Sequence, residues 1–501
     1  MKNRFVLSID LSSRECRSGI VTSGGKVLGY TTIPYPTKTE NRSSNMLTEP
    51  AELDPESLIN IIILTIKKSV YLSKLGSQAI SHVSITGQRQ ATALLDKRKN
   101  TLYLGTNTDL RAILQGLTID ENHSDPIYKE TGHLPSFFFT PAKLSWFLEN
   151  EPKTFQQIAT LCSLPAWVGL QLTGELIDEV SALGEMGVLD ITNHRVAKNI
   201  LSLIGISADI LPDFARTEDT TQTISRKLSD LTGLLPSTKV QIAGPDTQVG
   251  LIGMEVNTPG NTGIVAGWSM PIQTVTTKPI FHPKQKTWVG YHVTNNTWVI
   301  ESNTGDAGNA YQWVVGLLSE NYNYAILEYE ASQSAIGSGG VQSFLGPGSI
   351  TFPNPQLTIG GILMPTPISF RKPTKGDIIR SALESISYAI KQSLSDILEV
   401  IEKPPINICL GGGLSQSKLF AQILSSVVER PVEVYNEHVS LIGAAYLSQD
   451  HKTTDFDALD SRDSKLGRFP VVVEPIQKDL SEYKELYNQW VSTLGKLEIG
   501  N

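Results

Sequence analysis

One supersecondary plan occurs twice along this chain, and that repetition restricts its architecture more than any single residue does. Phe5–Ile9 reads as a strand, and Ser18–Thr22 and Lys26–Tyr30 read as a strand pair around Ser23-Gly24-Gly25, a hairpin signal. Asp54-Pro55-Glu56 opens a helix with an N-cap, a proline at the first helical position and an early acid. Leu58, Ile59, Ile62, Ile63 and Ile66 give that helix one apolar face. Val83–Thr86 is a strand that ends at Gly87-Gln88-Arg89-Gln90. The second copy starts with the strand Thr262–Val265, which ends in Ala266-Gly267-Trp268-Ser269. Strands at Thr287–Val293 and Thr297–Ser302 flank Asn295-Asn296, another hairpin signal. A helix over 377–400, the strand Ile406–Leu410, three glycines (Gly411, Gly412, Gly413), a helix, the strand Val432–Tyr435 and a helix over Leu441–Leu447 follow. The copies share a pattern rather than a sequence, and they join near 253–261.

A chain of 501 residues is too long for one core, so two or more domains are expected. Hydrophobic content of 40% and charged content of 18% fit a soluble globular protein. The net charge of −8 argues against nucleic acid or an anionic membrane as the main partner. Cys16, Cys162 and Cys409 lie far apart without metal-ligand spacing, which fits a reducing compartment. The first residues carry no long apolar run, and Ile59–Ile66 is far short of a membrane span, so the cytoplasm is the expected location. The segment 451–470 reads as a polar loop. Leu480, Tyr483, Leu486, Tyr487, Trp490 and Leu494 mark an amphipathic helix expected to pack on a domain.

Four segments carry candidate chemistry. Asp10-Leu-Ser-Ser-Arg-Glu-Cys-Arg17 closes the first strand; its carboxylate can hold Mg²⁺ through water and its hydroxyls can face a phosphate. Ala243-Gly-Pro-Asp-Thr-Gln248 places Asp246 at a strand end, where it can act as general base on a hydroxyl. Each acid can also be an ordinary turn aspartate. The glycine triplet, between a strand and a helix, leaves backbone N–H groups free over an anionic or nucleotide ligand. Its rival is a dinucleotide site with Glu437 as the ribose acid, but the third fingerprint glycine is missing and no second mononucleotide half follows. Gly87–Gln90 can hold sugar hydroxyls, or be a solvated loop. The sequence contains no Walker A, HExxH or nucleophile-elbow pattern, and its eight histidines form no ligand spacing. Trp288 and Trp298 flank the second hairpin as core covers.

Taken in order, these segments resemble the FGGY carbohydrate kinases, the family of glycerol, xylulose and related kinases, over nearly the whole chain. Asp10–Arg17 resembles the first phosphate motif, Glu52-Leu-Asp-Pro55 a helix start, and Gly87–Gln90 the substrate loop of the glycerol kinase branch. Asn107-Thr-Asp-Leu-Arg111, the Ala-Lys-Leu-x-Trp pattern within Thr140–Trp146, and Leu172-Thr-Gly-Glu175 are similar to further family segments. Gly244–Gly250 resembles the catalytic-aspartate segment, Gly411-Gly-Gly with Ser417 the nucleotide signature, and Gly443-Ala-Ala445 the closing helix.

The resemblance implies an α/β protein of two ribonuclease H-like domains, the actin-like ATPase architecture, with a cleft between them. The expected domains are 1–255 on the substrate side, 256–450 on the nucleotide side, and 451–501 as loop and packed helix. It implies an ATP- and Mg²⁺-dependent kinase in which Asp246 takes a proton from a substrate hydroxyl that attacks the γ-phosphate. Asp10 would organise Mg²⁺. Ser12, Ser13, Arg17, Gly267, Ser269, Gly308, Gly412, Gly413 and Ser417 would contact the nucleotide. Arg89, Gln90, Asp246 and Thr247 would contact a small sugar or polyol, with neither nucleic acid nor membrane as partner and a homodimer allowed. Domain closure would exclude water. The chain departs from the family at Ser12, Ser13 and Arg14, where Gly-Thr-Thr is usual, and at Trp268, where a hydroxyl residue is usual. It also departs at Gln90, where the branch has Glu, and at Asn107, where it has Trp. Asp246-Thr-Gln248 and the unusual second phosphate motif lean toward the autoinducer-2 kinases. Ser12 and Trp268 motivate the alternative of a nucleotide- or sugar-binding regulator that kept the fold without turnover.

Overall fold

A computed structural model describes residues 5–38, 51–319, 321–346, 360–368, 371–435, 438–448 and 470–498. Glu437, and the loop expected at 451–470 apart from its last residue, lie outside the described residues.

The first half is built on five strands: β1 (Phe5–Leu11), β2 (Glu15–Val21), β3 (Val27–Pro34), β4 (Ile80–Gly87) and β5 (Lys239–Pro245). Their order across the sheet is β5-β4-β1-β2-β3, with the short strand Gln222–Thr223 beyond β5. The β1-β2-β3 meander is antiparallel, while β1, β4 and β5 run parallel. Helix α1 (Pro55–Ser73) follows the meander. Its expected cap is present, with Ser57 N donating to Asp54 Oδ2 at 2.9 Å. Leu58, Ile62 and Ile66 bury its apolar face against Leu7, Ile9, Val83 and Ile85 of the sheet. A five-stranded sheet of short strands (Thr37–Lys38, Glu52–Leu53, Thr101–Gly105, Thr92–Leu95, Thr160–Ser163) adds to this half.

The second half begins after helix α2 (Asp246–Gly253). Its sheet comprises β6 (Thr262–Val265), β7 (Pro271–Thr276), β8 (Trp288–Tyr291), β9 (Trp298–Asn303), β10 (Ile408–Gly411), β11 (Val432–Val434) and β12 (Val471–Val473). The order is β8-β9-β7-β6-β10-β11-β12. Here β6-β7-β9 form the antiparallel meander, and β6, β10 and β11 run parallel. This is the first sheet's arrangement again, with β8 and β12 added at the edges. The repeat read from the sequence is therefore a repeat of topology. It also sets aside the dinucleotide reading, because the glycine triplet follows the fifth strand of a mixed sheet rather than the first strand of a parallel one.

The second half also carries α3 (Ala307–Leu318), α4 (Lys375–Leu398), α5 (Lys418–Val428), α6 (Val439–Leu447) and α7 (Leu480–Glu498). Helix α4 starts two residues earlier than expected because Thr374 and Asp377 form a reciprocal capping box. Helix α7 packs as expected: Tyr483 and Trp490 are buried, and Trp490 Nε1 donates to Ser385 Oγ at 3.1 Å.

Helices α2 and α6 tie the halves together. A Cβ on Gly443 would collide with Val249 O, and one on Gly253 with Val439 O, so the helices cross backbone to backbone. Helix α6 also reaches the first sheet, where Ser84 Oγ donates to Ala444 O at 2.6 Å. No helix among the described residues is long and apolar enough to cross a membrane.

Candidate active site

The parallel strands β1, β4 and β5 end side by side, in the register Asp10–Thr86–Gly244. Three expected site segments therefore leave the same sheet edge: Asp10 to Arg17, Gly87 to Gln90, and Asp246. The carboxyl ends of parallel strands are where an open α/β sheet offers a ligand crevice. Thr86 Oγ1 donates to Gly244 O at 2.8 Å and fixes the edge.

Asp10 is buried, and its Oδ2 accepts from Ser440 Oγ of α6 at 2.7 Å, with Arg17 Nη1 at 3.8 Å. Its Oδ1 is buried with no hydrogen-bond partner among the described residues. Asp246 begins α2 and stays partly open to the cleft. Burial raises the pKa of Asp10, with Arg17 opposing. Burial and then the charge of Asp10 raise that of Asp246, with Arg89 opposing. Thr247 Oγ1 donates to Asp246 Oδ1 at 3.3 Å. Two acids that repel one another, one with an orphaned buried oxygen, fit a hard divalent cation held mainly by water and substrate phosphates. A cluster of three or more ligating side chains does not occur among the described residues, and an ion held in that way needs none.

Gly87–Gln90 is not a solvated loop: Gln88, Arg89 and Gln90 are all buried. Arg89 donates through Nη1 to Glu301 Oε2 at 2.5 Å, through Nη2 to Glu301 Oε1 at 2.9 Å, and to Glu185 Oε2 at 3.3 Å. Burial would depress the guanidinium's pKa, but Glu301 and Glu185 outweigh it and the net shift is upward. Gln90 Nε2 donates to Glu185 Oε2 at 3.3 Å, Gln248 Nε2 to Glu185 Oε1 at 2.5 Å, and Gln273 Nε2 to Glu301 Oε2 at 2.6 Å. The carbonyl oxygens of Gln248 and Gln273 are buried without a hydrogen-bond partner, two acceptors waiting for donors such as hydroxyls. Lys143 Nζ, donating to Gln90 O at 2.9 Å, holds the loop from below, and burial pulls its pKa down to about 8. Trp288 is buried as expected, with the Arg89 guanidinium 5.7 Å from its ring centre.

The glycine triplet rests on the β6–β7 turn. Gly412 has φ +94°, and a Cβ there would stand 2.7 Å from Ala266 O. Gly413 and Gly267 are exposed, and a Cβ on either would meet nothing nearer than 3.7 Å. Gly308 has a packing role: a side chain there would collide with Gly267 O, so its absence lets α3 sit on the same turn. Ser417 caps α5, accepting from Phe420 N at 3.1 Å and donating to Glu328 Oε1 at 2.9 Å. Ser12 Oγ donates to Glu15 O at 3.0 Å and Ser13 Oγ to Asn107 Oδ1 at 3.1 Å. Ser269 and Trp268 are half-buried in the β6–β7 turn.

The structure thus gathers Asp10, Asp246, Thr247, Arg89 and Gln90 at one edge, and Gly267, Ser269, Gly308, Gly412 and Gly413 around the β6–β7 turn. Sequence reasoning missed Glu185, Gln248, Gln273, Glu301 and Ser440. A signal existed for Glu301: it is a lone carboxylate inside the apolar strand Trp298-Val-Ile-Glu-Ser302.

Sequence models of the FGGY family of carbohydrate kinases match residues 5–253 (N-terminal domain) and 264–448 (C-terminal domain). The Bacillus subtilis protein YoaC, named for a sugar kinase, is 27% identical over 98% of this chain and 97% of its own length. An autoinducer-2 kinase of Yersinia pestis is 24% identical over 87% of this chain and 85% of its own. A ligand-bound xylulose kinase from Lactobacillus acidophilus superposes with a TM-score of 0.83 at 17% identity, covering 99% of each chain.

Proposed function

The chain belongs to the FGGY family of carbohydrate kinases, and from that premise we propose that it transfers the γ-phosphate of ATP to a hydroxyl of a neutral sugar, polyol or related small molecule, with Asp246 as general base. The observation that carries this reading is Asp246 at the N-terminus of α2, partly open to the cleft and flanked by Asp10 and Arg89. Bound ATP supplies the phosphoryl group, and Mg²⁺ held by Asp10 would neutralise its developing charge.

Thr247 orients the Asp246 carboxylate, which accepts the hydroxyl proton as the substrate oxygen attacks. The raised pKa of Asp246 makes it a stronger base than an ordinary carboxylate. Gln248 and Gln273 offer acceptors to further hydroxyls, and Gln90 and Arg89 shape the same wall. The fork of Arg89 is already filled by Glu301 and Glu185, which disfavours a carboxylated substrate. The open faces of Gly267 and Gly413 admit the nucleotide.

The test is to incubate purified protein with ATP, Mg²⁺ and a panel of neutral sugars, polyols and sugar acids, and to measure ADP. Stimulation by a neutral member is expected. A folded protein that binds ATP but is stimulated by none, or by sugar acids alone, would contradict the reading.

A further inference from the structure

Arg14 stands in the β1–β2 turn, and its exposed side chain reaches the other half of the molecule. Its Nη2 donates to Asn309 Oδ1 at 2.6 Å and its Nη1 to Gln312 Oε1 at 2.9 Å. Both acceptors lie on α3. The start of that helix is pressed onto the β6–β7 turn at Gly308, and Asn309 N donates to Trp268 O at 3.1 Å. The same turn carries the glycine triplet on another side, through Gly412 and Ala266. The guanidinium is therefore held on the helix that rests on the β6–β7 turn, and the same turn carries the glycine loop.

The charge balance singles this residue out. Arg17 is tied to Glu15 at 2.7 Å and Arg89 to Glu301 and Glu185, so neither has its charge to spare. The two hydrogen bonds of Arg14 go to neutral amide oxygens, which orient its fork without cancelling its charge. Its positive charge is felt by the Asp306 carboxyl at the start of α3. A guanidinium has five N–H donors, so two such bonds leave donors for an anion. Meanwhile the hydroxyls of the same turn are engaged: Ser12 Oγ on Glu15 O, and Ser13 Oγ on Asn107 Oδ1. The β6–β7 turn carries the half-buried Trp268.

We propose that Arg14 binds the phosphate chain of ATP, supplying from one side of the cleft the donors that the hydroxyls of its own turn are not free to give. This inference rests on the ATP reading above.

The experiment measures dissociation constants of ATP and adenosine by calorimetry for the wild-type chain, Arg14→Met and Arg14→Lys, with thermal unfolding as the folding check. Removing hydrogen bonds from a charged donor should weaken ATP by about tenfold or more, with Arg14→Lys intermediate. Adenosine, which has no phosphate, should change by less than about twofold. The KM for ATP should rise while that for the sugar stays. Unchanged ATP affinity in a folded Arg14→Met protein overturns the assignment. So does an equal loss for ATP and adenosine, since Arg14 would then only hold the halves together. If the wild-type chain itself binds no ATP, the nucleotide reading fails and takes this inference with it.

Discussion

Arg89 of the first half and Glu301 of the second form a two-toothed ion pair, with contacts of 2.5 and 2.9 Å, at a point where both side chains are buried. Buried pairs of this kind are costly to break from one side, because the remaining charge keeps its desolvation penalty. Glu301→Ala should therefore destabilise the chain by about 3 kcal/mol in urea unfolding. It should also raise the KM for the sugar, because Gln273 loses the carboxylate that orients its amide. Stability and KM both unchanged would show that the pair does not shape the pocket.

Asp246→Asn removes the proton acceptor while keeping the shape of the side chain. The kcat should fall by roughly a thousandfold, within the range for loss of a positioned base, with ATP affinity retained. Asp246 must be unprotonated to work, so activity is lost as pH falls through its pKa. Because burial and Asp10 raise that pKa, the acid limb of kcat/KM should lie above the ordinary carboxylate range. In the residual activity of Asp10→Asn, the limb should move to lower pH, since the neighbouring negative charge is gone. A limb that stays in place would exclude the coupling.

Glu179 gives a separate pH test. Its carboxyl, buried and accepting from Ser181 N at 2.8 Å and Ala182 N at 3.1 Å, is pushed up to about 7 by burial from 4.5. Between those values the folded chain holds a proton that the unfolded chain releases. The stability from that proton is complete below pH 4.5 and lost as pH rises through 7. Glu179→Gln stays neutral throughout, so its stability relative to wild type should improve between pH 5 and pH 8, read by unfolding at both. No change in that difference would contradict the assignment.

Much of the element order was legible because the β2–β3 and β8–β9 hairpins carry turn chemistry at Ser23–Gly25 and Asn295–Asn296, and because α1 announces its start at Asp54-Pro55; β7 (Pro271–Thr276), the middle strand of the second meander, went unread. The acids at strand ends, Asp10 and Asp246, were legible for the same reason. The five-stranded sheet went unread because its strands span two to five residues, too short for periodicity to register. The partners Glu185, Glu301 and Ser440 went unread because each acts on a residue more than 90 positions away. Local pattern holds no record of such pairings. The packing role of Gly308 was hidden similarly: a motif can point to a ligand where the contact is made by the protein's own backbone.

Gly443→Ala tests the helix crossing. The added methyl would meet Val249 O, backbone that cannot step aside. Overpacking of this kind costs about 2 kcal/mol, to be read as a fall in thermal midpoint, and the same variant should lose kcat as α2 carries Asp246 away from Asp10. Wild-type stability and kcat would mean that the two helices part without consequence.

That crossing also decides what stays still. Asp246 heads one of the two crossed helices, and Ser440, bonded to Asp10, lies in the first turn of the other. Points near a pivot travel little when bodies turn about it, whereas contacts out along the arms must part. Were the halves to turn about that crossing, the acid pair would keep its spacing, while the Arg14–Asn309 and Arg89–Glu301 contacts between the halves would have to part.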